Sequence, residues 1–225
     1  MALWDAADLL ARAKRLLNRP SSDLGMADAD WYAFLTEGQA KWYEIIATHS
    51  PKVLYGAPEK LTTADSGATY TFASTPFPGG QIEIRGSRSG EVLSIGEDWD
   101  SGADFTWEGD KLRVPDGRTR TFGDGPYARY IAAPVAIDAG TEPTLKPPAA
   151  RLLVVYDACA NAAVRMGSHD PATFRDLEQR RAWGDPMVGG GDVGIIGALK
   201  NQIYPGDVGP GRWWLSVGSE GYSTA

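Results

Sequence analysis

The chain has 225 residues, 43% of them hydrophobic, with eight tryptophans and a formal net charge of −7. A chain of this size buries roughly 70% of its unfolded surface, enough for one or two real cores, and its acidity argues against nonspecific binding to nucleic acid or anionic membrane. The single cysteine, Cys159, excludes an intramolecular disulfide and a cysteine-based zinc site; no run approaches a membrane span and no leader pattern is present, so a soluble chain made in the cytosol is expected.

The first predicted element is a helix over Leu3 to Leu17, with Leu3, Ala6, Ala7, Leu10, Ala13 and Leu17 on one side and Arg12, Lys14 and Arg15 on the other. Asn18-Arg19-Pro20-Ser21-Ser22 stops it. A second helix, capped by Asp28 or Asp30, carries Trp31, Leu35, Trp42, Ile45, Ile46 and His49 at three-four spacing and ends at Pro51. From about Leu61 to Asp138 the pattern alternates. Thr69-Tyr70-Thr71-Phe72, Gln81-Ile82-Glu83-Ile84, Val92-Leu93-Ser94-Ile95, Phe105-Thr106-Trp107 and Lys111-Leu112-Arg113-Val114 read as short strands, and Tyr127 to Ile137 adds one or two. The turn signals Pro78-Gly79-Gly80, Ser101-Gly102, Glu108-Gly109-Asp110 and Pro115-Asp116-Gly117 separate them. A small antiparallel sandwich or open barrel is expected.

Helix resumes after Pro147-Pro148, with Leu152, Leu153, Tyr156, Ala160, Ala163 and Val164 on one face and Gly167 as terminator. Ser168 or Asp170 caps a helix with Pro171 in its first turn and Phe174, Leu177 and Trp183 along it. Gly189-Gly190-Gly191 breaks the chain before a last short helix, Val193 to Tyr204, for which Asp192 is a candidate cap. The expected fold is α+β: a four-to-five-helix bundle, a small antiparallel β insert between its second and third helices, and an extended C-terminal arm. The corresponding segments are residues 1–55, 56–147, 148–188 and 189–225.

No motif in the chain specifies chemistry. Gly189, Gly191 and Gly194 match a dinucleotide fingerprint literally, but a predicted helix precedes them where that site needs a strand. Asp98, Asp100 and Asp104 resemble a calcium loop in which Ala103 replaces the needed glycine and the closing glutamate is missing. His49 and His169 are the only histidines, and Cys159 sits in an apolar helix as a small hydrophobe. Catalytic, cofactor and metal sites are therefore not expected. Glu97, Asp98, Asp100, Asp104, Glu108 and Asp110 crowd one acidic surface segment without a base.

The segment from Pro205 to Ala225 is different. It holds Trp213, Trp214, Leu215 and Tyr222 on a Gly/Pro-rich backbone that cannot sustain a helix. Left in solvent it would expose the kind of apolar surface that soluble monomers avoid. It either folds back on its own domain or docks on a partner. Before it, Ile195, Ile196, Leu199 and Ile203 form a stripe that core packing and an intersubunit contact explain equally.

The opening LLARAKRLLNRPSSD and WYAFLTEGQAKWYEIIATHSPKVLYGAPEKLTTAD resemble the N-terminal helical hairpin of tailed-phage head-to-tail adaptor proteins, also called head completion or connector proteins. PPAARLLVVYDACANAAVRMGSHDPATFRDLEQRRAW resembles their second helical pair, and GIIGALKNQIYP with the arm resembles their C-terminal docking element. The resemblance covers somewhat over half of the chain; the β insert departs from the smallest adaptors. It implies a non-enzymatic virion protein without cofactors, assembled at the virion neck as a ring of about twelve copies under the portal protein. A stopper or tail protein would bind its other face, and DNA would pass through without sequence-specific contact. Carried onto this chain, Leu199, Tyr204, Trp213, Trp214 and Leu215 lie in or near the portal-docking element, where aromatic anchors suit an interface. Two alternatives stay open: a β insert that binds carbohydrate or another ligand through Trp99 and Trp107, and an enzyme built on two close carboxylates. A tail-terminator or head–tail joining protein is a near neighbour of the first reading.

Overall fold

Local signals explain where the helices begin and end in the computed structural model, which describes residues 4–17, 26–65, 69–87, 90–96, 102–115, 125–145, 147–167, 169–184 and 194–202. Asp5 caps α1 (Ala6–Leu16) by accepting the Asp8 N–H at 2.8 Å, and Lys14 and Arg15 sit at the negative end of the helix dipole. The buried face is Ala6, Leu9, Leu10, Ala13 and Leu17. Ala7 is exposed, because a three-four walk from Ala6 reaches Leu9 and Leu10. Helix α2 (Asp28–His49) starts after Ala27, and neither Asp28 nor Asp30 is the cap residue. Asp30 instead reaches back to accept the Ala27 N–H, while Asp28 pairs with Lys14 at 2.6 Å. A single 3-10 turn, Pro51–Leu54, follows.

Helix α3 (Pro148–Met166) opens on proline and ends at Gly167, whose φ of 60° is the left-handed cap conformation that glycine adopts without strain. It is buried nearly all round, since α1, α2 and α4 all pack on it. Ala150, Ala158, Ala160, Ala162 and Ala163 keep it slim, and Gly38 brings α2 close: a Cβ there would stand 3.1 Å from the Val154 carbonyl oxygen. Val164, expected on the packed face, is 63% exposed. In α4 (Pro171–Trp183), capped by the Asp170 carboxylate on the Ala172 N–H, the buried row is Phe174, Glu178 and Ala182. Leu177 and Trp183 are exposed, flanking that row instead of forming it. Helix α5 (Gly194–Gln202) packs mainly on α4.

The β segment comprises β1 (Glu59–Lys60), β2 (Thr62–Asp65), β3 (Thr69–Thr71), β4 (Ile82–Arg85), β5 (Val92–Leu93), β6 (Ile95–Gly96), β7 (Phe105–Glu108), β8 (Lys111–Arg113) and β9 (Tyr127–Tyr130). They form a four-stranded sheet, β1-β9-β4-β5, and a five-stranded sheet, β2-β3-β8-β7-β6. Pairing is antiparallel except between β6 and β7, which are parallel. Tyr70, Phe105 and Leu112 from the larger sheet meet Ile84, Leu93, Ala128 and Tyr130 from the smaller in one core. Phe72 joins them, its ring 4.9 Å from that of Tyr130. The run Val92 to Ile95, expected as one strand, is two. Ser94 breaks it: its carbonyl accepts the Asp104 and Phe105 N–H groups, and the Asp104 carboxylate accepts the Ser94 N–H and hydroxyl. The chain thereby passes from one sheet to the other.

The chain is α+β, but not a helical bundle with one small insert. The described residues hold five α-helices and two sheets of four and five strands, and β1 and β2 were not anticipated. The described residues divide into a helical unit, up to Leu54 and from Pro134 onward, and a β unit, Tyr55–Ala133. Within the helical unit, residues 134–145 are irregular and lie along α2: Gln39 donates to the Val135 carbonyl at 2.7 Å and accepts the Leu145 N–H. Thr36 accepts the Ile137 N–H at 2.9 Å. No helix among the described residues is long and apolar enough to cross a membrane.

Candidate functional site

The helical unit buries a cluster of charge. Lys41 of α2 donates to Asp157 of α3 at 2.6 Å and to Glu178 of α4 at 2.7 Å, so one ammonium joins three helices. The Glu178 side chain is 1% exposed and that of Asp157 6%, whereas Lys41 keeps 35% of its side chain in solvent. The Trp42 indole donates to the same Glu178 oxygen at 2.7 Å, leaving Glu178 Oε2 without a hydrogen-bond partner. Asn161 donates to Asp157 Oδ2 and accepts from Arg175, whose guanidinium stands 3.8 Å from Asp157 Oδ1.

Burial and the nearby Asp157 charge raise the Glu178 carboxyl above its ordinary range, against the pull of Lys41 and Trp42. Burial by itself would lower Lys41; its hydrogen bonds to Asp157 and Glu178 outweigh that and hold it above the usual lysine value. Chemically this is two carboxylates on one lysine, with three of the four carboxylate oxygens hydrogen-bonded and Glu178 Oε2 left over.

A second buried cation is structural. Arg151 of α3 is fully buried, and its guanidinium donates to the carbonyls of Leu145 at 2.5 Å, Pro143 at 3.1 Å and Trp4. Glu142 lies 3.5 Å away but is more than half exposed. The fork thus ties the first described residues and the end of the irregular segment to α3.

Of the residues expected to dock on a partner, Ile196 and Leu199 are buried and Ile195 is half-buried. The start of α5 abuts the end of α4: a Cβ on Gly194 would fall 2.4 Å from the Gly184 nitrogen. Ile203, Tyr204, Trp213, Trp214, Leu215 and Tyr222 lie outside the described residues, as do Trp99, Glu97, Asp98 and Asp100. Among the remaining acids, Asp104 holds Ser94, Glu108 pairs with Arg113 at 3.4 Å, and Asp110 is exposed in the β7–β8 turn. Gly189 and Gly191 also lie outside, and the element before Gly194 is α4, a helix. The described residues contain no group of three metal-ligating side chains.

Cys159 is fully buried, its Sγ 3.5 Å from the Ala13 carbonyl, and burial pushes the thiol up to about 12. His49 is exposed and meets the Trp183 ring edge-on at 5.0 Å. Trp107 is partly exposed and stacks on Phe72 at 5.9 Å. The charge cluster itself escaped notice at the level of sequence. Its local signals are Asp157 and Asn161, two polar side chains in the largely apolar run LLVVYDACANAAV. No protein-family model matches the chain, and no curated protein matches it.

Proposed function

We propose that this protein is a head-to-tail adaptor of a tailed phage: a virion structural protein that forms a ring under the portal protein and docks on it through its C-terminal segment. The observation that carries the reading is the plan of the helical unit. Helices from both sides of the β segment belong to one unit, and α5 leads from the edge of α4 into the tryptophan-rich C-terminal sequence. The acidity of the chain suits a conduit that DNA must cross without adhering, since like charge repels phosphate. The role is non-catalytic, with Asp157 and Glu178 committed to Lys41. A stopper or tail protein would receive the opposite face of the ring.

Electron microscopy of the protein mixed with its portal, or of the virion neck, tests this. A ring seated on the portal through the C-terminal segments is the expected result; absence of any portal contact refutes it. Deleting Pro205 to Ala225 should leave the helical unit folded and abolish portal binding. One observation favours a second reading, ligand binding by the β unit: Trp107 presents part of its ring to solvent, backed by Phe72. Glycan-array binding that disappears in Trp107→Ala would support that reading over the adaptor.

A further inference from the structure

Asp157 and Glu178, both almost sealed from water, share the ammonium of Lys41. The other cation near them, Arg175, is half-exposed and 3.8 Å from Asp157, so solvent screens it and the buried part of the cluster is left with excess negative charge. A buried excess charge is costly, and taking up one proton removes it. We propose that this cluster is a proton-linked latch: a proton held by the carboxylate pair tightens α4 onto α2 and α3, and its loss as pH rises loosens α4 together with α5.

The charged groups facing Glu178 are few. Lys41 comes from α2 and Asp157 from α3, while α4 itself supplies Arg175, half-exposed and 3.8 Å from Asp157. Trp42 and Asn161 add only neutral hydrogen bonds, and the described side chains of α5 carry no charge. The unpartnered Glu178 Oε2 is the atom at which a full negative charge is least compensated. Its folded carboxyl therefore binds a proton more tightly than the unfolded one. Stabilisation from this source is complete below the ordinary glutamate range and declines as pH climbs through the raised value, opposite in sign to a salt-bridged surface carboxylate. Because α5 rides mainly on α4, both helices respond together. The latch does not depend on the adaptor reading.

Hydrogen–deuterium exchange of the full-length protein between about pH 5.5 and 8.5, corrected for intrinsic exchange chemistry, tests it. Protection of α4 and α5 should fall with rising pH by up to about tenfold per unit, the limit for one linked proton, while α1 stays level. Glu178→Gln and Asp157→Asn each remove one of the two buried carboxylates that share Lys41, so each should flatten that slope. Protection of α4 that follows α1 at every pH overturns the proposal, and so does an unchanged slope in either folded variant. If one variant fails to fold, the wild-type profile and the other variant still decide.

Discussion

Replacing Arg151 by methionine is the sharpest test of how the helical unit is closed. The guanidinium is fully buried and donates to the carbonyls of Leu145, Pro143 and Trp4, which come from two separate stretches of chain. A hydrogen bond to a charged group contributes about 1.5–3 kcal/mol, and an orphaned buried carbonyl costs a similar amount. The three losses do not add fully, and removing a buried cation recovers part of its desolvation cost. The half-exposed Glu142 contributes little. The net expectation is a loss of about 3–4 kcal/mol, or a melting point lower by about 10 °C for a chain of this size. Urea denaturation followed by far-UV circular dichroism measures it. Arg151→Lys should recover less than half, because an ammonium lacks the planar fork. A loss below about 1 kcal/mol for Arg151→Met would mean that the carbonyls find other donors and the clasp reasoning fails.

Gly194→Ala forces a side chain onto a φ of 60° and to 2.4–2.6 Å from backbone atoms of residues 182–184. Exchange protection of α5 should fall by about tenfold or more, and unchanged protection would contradict the packing described. Phe105→Ala empties a fully buried position beside Tyr70, and a loss of about 3–5 kcal/mol is expected in chemical denaturation. Cys159, with its thiol at about 12, should resist an aromatic disulfide reagent at mildly alkaline pH until denaturant is added. Rapid labelling of the native protein would place it at the surface.

Much of the local structure is legible in the chain because its causes are local. Asp170 followed by Pro171 starts α4, Gly167 ends α3, and Glu108-Gly109-Asp110 turns β7 into β8, where Gly109 has a φ of 66°. Each outcome depends on the few residues around it. Burial is less legible. Periodicity marks Phe174, Leu177 and Trp183 as apolar, yet the row that faces α3 contains Glu178 in their midst. A helix face turns inward according to which neighbours surround it, and the spacing of one helix carries no information about them.

The amino-acid order by itself determined an α+β chain with helices on either side of a β segment, since capping, proline placement and alternation act within a turn or a strand. Tertiary structure alone decided that the run Val92 to Ile95 is split between two sheets at Ser94, because that crossing depends on Asp104 bonding back across ten residues. It alone decided that Lys41 meets Asp157 and Glu178, 116 and 137 residues further on. A single ammonium between two buried carboxylates exists only once α2, α3 and α4 have packed, and no periodicity along the chain encodes that meeting.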